Sequence, residues 1–241
     1  MNKAKETNEE AITAVLEYRD VSKKYTSGDC EVYALNSVST KIYPGELTAL
    51  VGPSGSGKST MQHLGAGFDK ASSGVVLLMG SDIGLYPEKE LSILRNKHIG
   101  FIFQSFNLIP VMTVLENVMY PATVYGKPYR FDGSAIERAM YLLERVSLVN
   151  HVKKRPHQLS GGQRQRVAIA RSLMNMPDLI FADEPTANLD HTVGKEILEL
   201  LVSLNRDMNV TIVFSTHDPS VMACARRVIS LQDGKIVGDT Q

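Results

Sequence analysis

Residues 52–59, GPSGSGKS, combine glycines, a lysine and a hydroxyl in an order that suits phosphate binding, and they match the pattern GxxxxGK[ST] without deviation. Glycines allow a tight turn whose backbone N–H groups converge on phosphate oxygens. Lys58 can neutralise the β- and γ-phosphates of a nucleotide, and the Ser59 hydroxyl can bind Mg²⁺. A glycine-rich turn that binds nothing is the alternative, but the flanking strand and helix patterns disfavour it. The candidate nucleotide-binding residues here are Gly52, Pro53, Ser54, Gly55, Ser56, Gly57, Lys58, Ser59 and Thr60.

An aspartate and a glutamate directly follow the short apolar run 179–182, LIFA. This position predicts the carboxyl end of a buried strand, beside the phosphate loop. There Asp183 can hold Mg²⁺ through water, and Glu184 can polarise an attacking water molecule. Taken alone, an acidic pair after four apolar residues is common, and a solvated strand end explains it equally well.

The segments around these motifs predict strands that alternate with helices. Short apolar runs, which are typical of strands buried on both faces, occupy 47–51, 179–182 and 210–214. Half-buried strands, in which apolar and polar residues alternate, are predicted over 15–21 and 37–42. Asp233 and Gly234, between 228–231 and 235–237, signal a hairpin.

Helical spacing of apolar residues predicts a helix over 134–149, where Ser134 and Glu137 form a capping box, and further helices over 163–174 and 194–205. Strands that alternate with helices imply an α/β fold with a parallel sheet. The stretch 85–149 has no clear strand–helix rhythm, and its latter part is interpreted as a mostly helical insertion.

Composition and charge narrow the class of protein. The chain carries 26 basic and 26 acidic residues, so its zero net charge gives no long-range attraction to nucleic acid. Cys30 and Cys224 form no ligand-like pair, which argues against a zinc site or a disulfide and fits a reducing compartment. Residues 1–10 lack the apolar run of a secretory signal and are predicted to be a polar tail. Because no run of about 18 apolar residues occurs, a role at a membrane requires a partner.

A second candidate anion cradle lies at residues 159–166, LSGGQRQR. A serine and two glycines open a predicted helix there, and a plain helix N-cap is the simplest explanation. The stretch closely resembles the LSGGQ signature of the ATP-binding cassette (ABC) family, which other phosphate-loop proteins lack. In that family two cassettes pack head to tail, and each signature closes over the ATP held by the other. The resemblance therefore assigns Ser160, Gly161, Gly162 and Gln163 to the ATP of the opposite subunit.

The other motifs of the family follow in order from about residue 16 to residue 237. Tyr25 resembles the aromatic residue that stacks on adenine, although a single tyrosine could equally serve packing. Gln104, after GFIF, resembles the glutamine that touches Mg²⁺ and water and faces the transmembrane partner. Asp190, in NLD, matches the loop that crosses the dimer interface. His217, in STHD, matches the histidine that contacts the γ-phosphate.

The resemblance implies a phosphate-loop NTPase fold, with a parallel core sheet, an N-terminal antiparallel β subdomain and an inserted α-helical subdomain. It places one ATPase domain over residues 14–241, after a tail over 1–13, with the helical subdomain at roughly 105–175. It also implies hydrolysis of ATP with Mg²⁺. In that mechanism Glu184 acts as the base, His217, Lys58 and Gln104 assist it, and the oxygens of Ser59, Gln104 and Asp183 hold the metal.

Residues 100–118 and 181–190 look most like the lipoprotein-releasing, macrolide-exporting and peptide-antibiotic-resistance group of cassettes. That likeness implies a homodimer of cassettes formed on ATP binding. It also implies an integral membrane permease with four transmembrane helices per half and a large extracytoplasmic domain. The chain is then a peripheral subunit at the cytoplasmic face of the membrane, in an export or mechanotransmission system.

Two other classes of function are weighed against a transporter subunit. A soluble cassette ATPase of DNA repair usually separates its halves by a long coiled coil, for which the spacing from Lys58 to Asp183 leaves no room. Cassettes of translation usually carry two ATPase domains in one chain, and this chain carries one. A nucleotide-dependent switch without catalysis is disfavoured because Glu184 and His217 are both present.

The segment after Gln104 carries none of the phosphate chemistry. Its apolar residues are predicted, with the helical insertion over 107–149, to form a groove that receives a helix of the membrane partner. The alternative is that they build the core of the insertion. These residues are Phe106, Leu108, Ile109 and Met112.

Overall fold

The computed structural model describes residues 13–27, 30–124 and 130–240. The predicted tail therefore lies outside the described residues up to position 12. The strands are β1 Leu16–Ser27, β2 Cys30–Ile42, β3 Leu47–Val51, β4 Ser73–Leu78, β5 Ser81–Asp82, β6 Ile99–Ile102, β7 Leu179–Asp183, β8 Thr211–Thr216, β9 Arg227–Gln232 and β10 Lys235–Thr240. The helices are α1 Lys58–Gly65, α2 Glu88–His98, α3 Val114–Thr123, α4 Ala135–Arg145, α5 Gly161–Ser172, α6 His191–Met208 and α7 Pro219–Cys224.

A mostly parallel sheet forms the centre of the fold, in the strand order β10-β9-β3-β8-β7-β6. β3 pairs in parallel with β8 and β9, β7 with β8, and β6 with β7. Every residue of β3 and β8 is buried, as the continuous apolar runs predict for strands covered on both faces. β9 and β10 pair antiparallel around Asp233 and Gly234, which confirms the hairpin.

An antiparallel sheet, in the order β2-β1-β4-β5, lies beside the parallel one. β1 and β2 extend well beyond the predicted 15–21 and 37–42, because irregularities in their pairing interrupt the alternation of apolar and polar residues. Asp20 and Ser37 adopt left-handed backbone conformations at these irregularities. The sequence pattern did not predict β4, β5 or β6, and the stretch 85–149 therefore contains a strand of the central sheet.

Close packing fixes α1 against both sheets. The hydroxyl of the buried Tyr18 donates a hydrogen bond to the Met61 carbonyl at 2.8 Å. Gly65 allows this approach, since a Cβ at that position would lie 2.2 Å from the Tyr18 hydroxyl and 2.9 Å from the Phe181 ring. Contacts with β1 and β7 thus fix the position of α1, the helix that follows the phosphate loop.

Helices α3, α4 and α5 pack together on a shared apolar core, and capping boxes open each of them. The predicted box of Ser134 and Glu137 is confirmed. α4 ends at Arg145 rather than at 149, because Ser147 adopts a left-handed conformation. Of the helices in the described part of the chain, none has both the length and the apolar character that crossing a bilayer requires.

Asn117, wholly buried on α3, holds the loop that precedes this helix. Its Oδ1 accepts from the Ile109 N–H at 2.8 Å, and its Nδ2 donates to the carbonyls of Ile109, Met112 and Thr113 at 3.1, 3.2 and 3.0 Å. A single amide thus makes hydrogen bonds with four backbone groups of this loop.

We expect Asn117→Ala to lower the free energy of unfolding by about 1–3 kcal/mol, because the Ile109 N–H and the Met112 carbonyl lose their hydrogen bonds to the amide. Urea unfolding followed by circular dichroism measures the change. Asn150→Ala, at an exposed position, is the matched control and should change stability by less than about 0.5 kcal/mol. Equal stabilities of the two variants would show that the Asn117 amide does not hold the loop.

Candidate active site

The carboxyl ends of four neighbouring parallel strands open into one cavity of about 710 Å³. The phosphate loop follows β3, His217 follows β8, Asp183 ends β7, and Gln104 lies just beyond β6. Because parallel strands end at the same edge of a sheet, residues far apart in sequence meet there. The cavity is lined by Ala34, Ser54, Gly55, Ser56, Gly57, Lys58, Ser59, Thr60, Gln104, Asp183, Glu184, Ser215 and His217.

Two glycines of the phosphate loop are required by the backbone. Gly52 and Gly57 have φ angles of 151° and 104°. A Cβ at Gly52 would lie 2.1 Å from the Leu231 carbonyl oxygen, and one at Gly57 would lie 2.4 Å from the Ala34 carbonyl oxygen. The backbone of the loop thus packs directly against its neighbours at these two glycines, and α1 begins at the residue after Gly57. An anion in the loop would face the positive end of that helix, so the site fits the phosphates of a nucleotide.

Lys58 begins α1, and only 9% of its surface is exposed. Its ammonium donates to the carbonyl oxygens of Gly52 and Pro53, at 2.7 and 2.9 Å. A buried ammonium needs such partners, and a phosphate oxygen can take the place of either carbonyl. Ser59 and Thr60 follow it in the wall of the cavity.

Glu184 and His217 form the pair that can act on water. His217 Nδ1 lies 2.7 Å from Glu184 Oε1. The Glu184 side chain is 16% exposed, whereas that of His217 is 75% exposed. Glu184 adopts a left-handed backbone conformation, with φ of 45°, and its N–H donates to the Ser215 carbonyl at 2.9 Å. Such a conformation costs about 1–3 kcal/mol in a residue with a side chain and is typical of functional sites.

The predicted metal ligands Ser59, Gln104 and Asp183 all line this cavity. Among the described residues, no group of three or more His, Cys, Asp and Glu could hold a metal ion by itself. Mg²⁺ suits such a set, because it is usually bound through one or two carboxylates together with the phosphates of a substrate. The hydroxyl, amide and carboxylate oxygens present are the hard donors that this ion prefers.

Two residues that the sequence reasoning missed hold the segment after Gln104. Asn188 Nδ2 donates to the Gln104 carbonyl at 2.8 Å. Arg171 donates to the carbonyls of Phe106 and Asn107 at 2.9 and 2.6 Å, and both of these residues are in left-handed conformations. Asn188 belongs to the predicted NLD motif, so its type was visible in the sequence. Arg171 lies on α5, more than sixty residues away, where no local signal indicates its partners.

Tyr25 lies beside the cavity rather than in its wall. Its hydroxyl donates to Asp69 Oδ2 at 2.9 Å, and the Lys23 ammonium lies 4.9 Å from the centre of its ring. Burial, and then the Asp69 carboxylate, raise the pKa of Tyr25, while a hydrogen bond with Thr60 opposes the rise. Thr60 lines the cavity, so the Tyr25 ring adjoins the site through this residue.

The signature residues are not among those that line the cavity. Ser160 caps α5, and Gly161 and Gly162 pack closely on the loop and helix that follow β7. A Cβ at Gly162 would lie 2.4 Å from Val193, and one at Gly161 would lie 3.2 Å from Leu189. Asp190 caps α6 by accepting from the Val193 N–H at 3.0 Å. The signature residues thus lie beside the NLD loop and outside the nucleotide cavity of their own chain.

Known proteins resemble the chain in sequence. The ABC transporter family matches residues 35–187. A macrolide export ATP-binding/permease protein, MacB, of Syntrophobacter fumaroxidans is 45% identical over 92% of this chain and 31% of its own length. An ABC transporter ATP-binding protein of Thermotoga maritima is 44% identical over 93% of this chain and 94% of its own length. The chain thus spans about a third of the MacB protein and nearly all of the Thermotoga protein.

Solved structures agree with these relatives. The ATP-binding cassette MJ0796, solved as a dimer bound to ADP and Pi after hydrolysis, superposes with a TM-score of 0.85. It is 40% identical and covers 94% of this chain and 98% of its own. The expected fold is confirmed, with a parallel core sheet, an antiparallel sheet and a helical insert. The chain therefore belongs to the ABC transporter family, in which it is an ATP-binding cassette, the domain that hydrolyses ATP.

Proposed function

We propose that this cassette hydrolyses ATP in the cavity described above and drives an export-type permease at the cytoplasmic face of a membrane. The Glu184–His217 pair carries the proposal, because it places a carboxylate against a histidine in the cavity that the phosphate loop lines. The relatives named for macrolide export and for syringafactin export support the transport role. The alternative, a soluble ATPase of DNA repair or translation, has no support from these relatives.

The residues divide the chemistry among them. The phosphate loop and Lys58 bind and orient the phosphates, and Ser59, Gln104 and Asp183 hold Mg²⁺. When bound, Mg²⁺ neutralises charge on the β- and γ-phosphate oxygens. Glu184 accepts a proton from the attacking water, and its hydrogen bond to His217 keeps the carboxylate aimed at that water. Most of the rate enhancement then comes from positioning and electrostatics.

The signature residues act on the ATP of a second copy. Ser160 and Gly161 lie outside the cavity of their own chain, so a head-to-tail dimer is the arrangement that gives them a phosphate to contact. The dimeric MJ0796 cassette supports this arrangement. Asp190 and the NLD loop adjoin the signature and lie at the same interface. ATP then joins the two copies, and hydrolysis releases them.

The permease docks on a groove of about 380 Å³ next to the Gln104 segment. Phe68, Tyr120 and Val124 in its wall are exposed by 50%, 42% and 52%, and such a cluster of exposed apolar surface is typical of an interaction site. Of the four apolar residues first assigned to docking, Leu108 packs on the core of the helical layer. All four are partly buried, and Phe106 also stacks against Arg164.

The partner is an integral membrane permease of the type with four transmembrane helices per half and an extracytoplasmic domain. The support is the likeness of residues 100–118 and 181–190 to that group of cassettes, together with the relatives in which cassette and permease share one chain. Contacts to the exported molecule belong to the permease in this scheme.

We expect Glu184→Gln to lower the rate of ATP hydrolysis by about 10²–10⁴-fold, since it removes the general base, while ATP still binds. Phosphate release and titration with a fluorescent ATP analogue measure the two effects, and size-exclusion chromatography in ATP should show a dimer. Glu144→Gln, an exposed carboxylate on α4, is the control and should hydrolyse ATP normally. Turnover within tenfold of the native rate, or a strictly monomeric Glu184→Gln protein, would contradict the proposal.

Lys58→Ala should weaken nucleotide binding itself by about 10–100-fold, because a charge-assisted hydrogen bond to phosphate is lost. Isothermal titration with ADP and ATP gives the affinities, and thermal unfolding checks that the loop still folds. Lys195→Ala, an exposed lysine on α6, serves as the control for loss of charge. The assignment is wrong if both variants bind as the native chain does.

We expect the double substitution Tyr120→Glu with Val124→Glu to prevent assembly with the permease, because it places two charges in the apolar groove. The isolated cassette should still fold and hydrolyse ATP. Co-purification with the co-expressed permease measures assembly, and Ile136→Glu, an exposed apolar position on α4 that is not part of the groove, is the control. Normal co-purification of the double variant would exclude the groove as the docking site.

A further inference from the structure

The first turn of α5 is closed by a reciprocal cap between Ser160 and Gln163. The Gln163 N–H donates to Ser160 Oγ at 3.2 Å, and the Ser160 N–H donates to Gln163 Oε1 at 3.1 Å. The second bond fixes the side-chain amide, because only its oxygen can accept from an N–H. Gln163 Nε2 is therefore turned the other way, where it lies 3.3 Å from His151 Nε2.

This contact determines the form of His151. An amide nitrogen only donates, so His151 Nε2 must accept, and the neutral ring carries its proton on Nδ1. Nδ1 is buried and finds no partner among the described residues. A buried donor without a partner costs free energy. The backbone that carries the ring is fixed, since the His151 N–H donates to the Leu148 carbonyl and the His151 carbonyl accepts from the Lys154 N–H, both at 2.9 Å.

The cap matters for what Ser160 can offer outside its own helix. A hydroxyl has one proton and two acceptor sites. Because Ser160 Oγ accepts from the Gln163 N–H, its own proton stays available for an external anion. Rotation of the Gln163 amide by half a turn would bring its NH₂ against the Ser160 N–H, and two donors facing each other would open the cap.

We infer that His151 is a positioning residue for the signature motif, which holds Gln163 and, through it, the Ser160 hydroxyl in the arrangement that receives ATP from a second copy. The inference rests on the proposed function in one respect, the role of Ser160 across the dimer. The hydrogen-bond relay from His151 to Ser160 stands within a single chain.

The test uses the Glu184→Gln chain and three substitutions at position 151. His151→Gln can place an amide oxygen where Nε2 was, whereas His151→Asn is too short to reach and His151→Leu cannot accept. We expect the ATP concentration that gives half-maximal dimer to rise by about tenfold with Leu and Asn, the effect of one lost hydrogen bond, and by less than about threefold with Gln. Analytical ultracentrifugation measures the dimer.

A second measurement needs no dimer. Amide hydrogen exchange in the peptide that spans residues 157–165 should be faster with Leu and Asn than with His or Gln, because the cap is loosened. Binding of a fluorescent ATP analogue to the phosphate loop should be unchanged in all of them. If the Leu variant fails to fold, the Asn and Gln pair decides.

Unchanged exchange and unchanged dimer formation with Leu and Asn would overturn the inference. Equal weakening by all three substitutions would overturn it as well, since it would indicate packing by the imidazole ring rather than a hydrogen bond. If the Glu184→Gln chain with His151 forms no dimer in ATP, the proposed dimer fails. The exchange rates then still test the hydrogen-bond relay from His151 to Ser160. Failure of the proposed dimer and failure of the relay are therefore distinguishable.

Discussion

Parallel pairing of β3, β8, β7 and β6 is the constraint on which the candidate active site depends. Each strand contributes one functional segment at its carboxyl end, and the hydrogen-bonded register brings Asp183 opposite Ser215. The continuous burial of β3 and β8 makes this register costly to change, because a shifted strand would lose its fit on both faces. The position of Glu184 relative to the phosphate loop is therefore set by the core rather than by the loops.

The loops that meet there carry backbone conformations that are unfavourable in isolation. Glu184, Phe106 and Asn107 all have positive φ angles, and each has hydrogen bonds that hold it. The N–H of Glu184 is bound to Ser215 on the neighbouring strand, and the carbonyls of Phe106 and Asn107 are bound to Arg171. Burial lowers the pKa of this guanidinium, a sign that placing it there has a cost in desolvation. The core thus supplies the free energy that keeps these segments strained.

Features that depend on residues close together in the chain could be predicted from the sequence, whereas contacts between distant segments could not. The phosphate loop, β3, the hairpin at Asp233 and the Ser134 cap depend on residues within one turn or strand, and their patterns predicted them. β6 was missed because Gly100 interrupts its apolar residues and because the strand lies at the edge of the sheet, where it pairs only with β7. The partners of Arg171 and His151 were missed for a different reason, since a side chain's type does not state which distant carbonyl or amide it meets. The roles assigned to the site residues remain predictions, although the structure gathers Lys58, Gln104, Asp183, Glu184 and His217 around one cavity.

The bonds that Arg171 makes with the Gln104 segment are directed at main-chain oxygens, which every type of residue carries. Asn107 lines the groove, and its carbonyl oxygen accepts a hydrogen bond from Arg171 of α5. In the proposed docking, recognition of a membrane partner and the link to the nucleotide site thus fall to different atoms of the same residue. After gene duplication, a descendant of this cassette could change its side chains to suit another permease and keep the same linkage. Such a separation allows the permease partners of a family to diversify while the ATP-hydrolysing site stays the same.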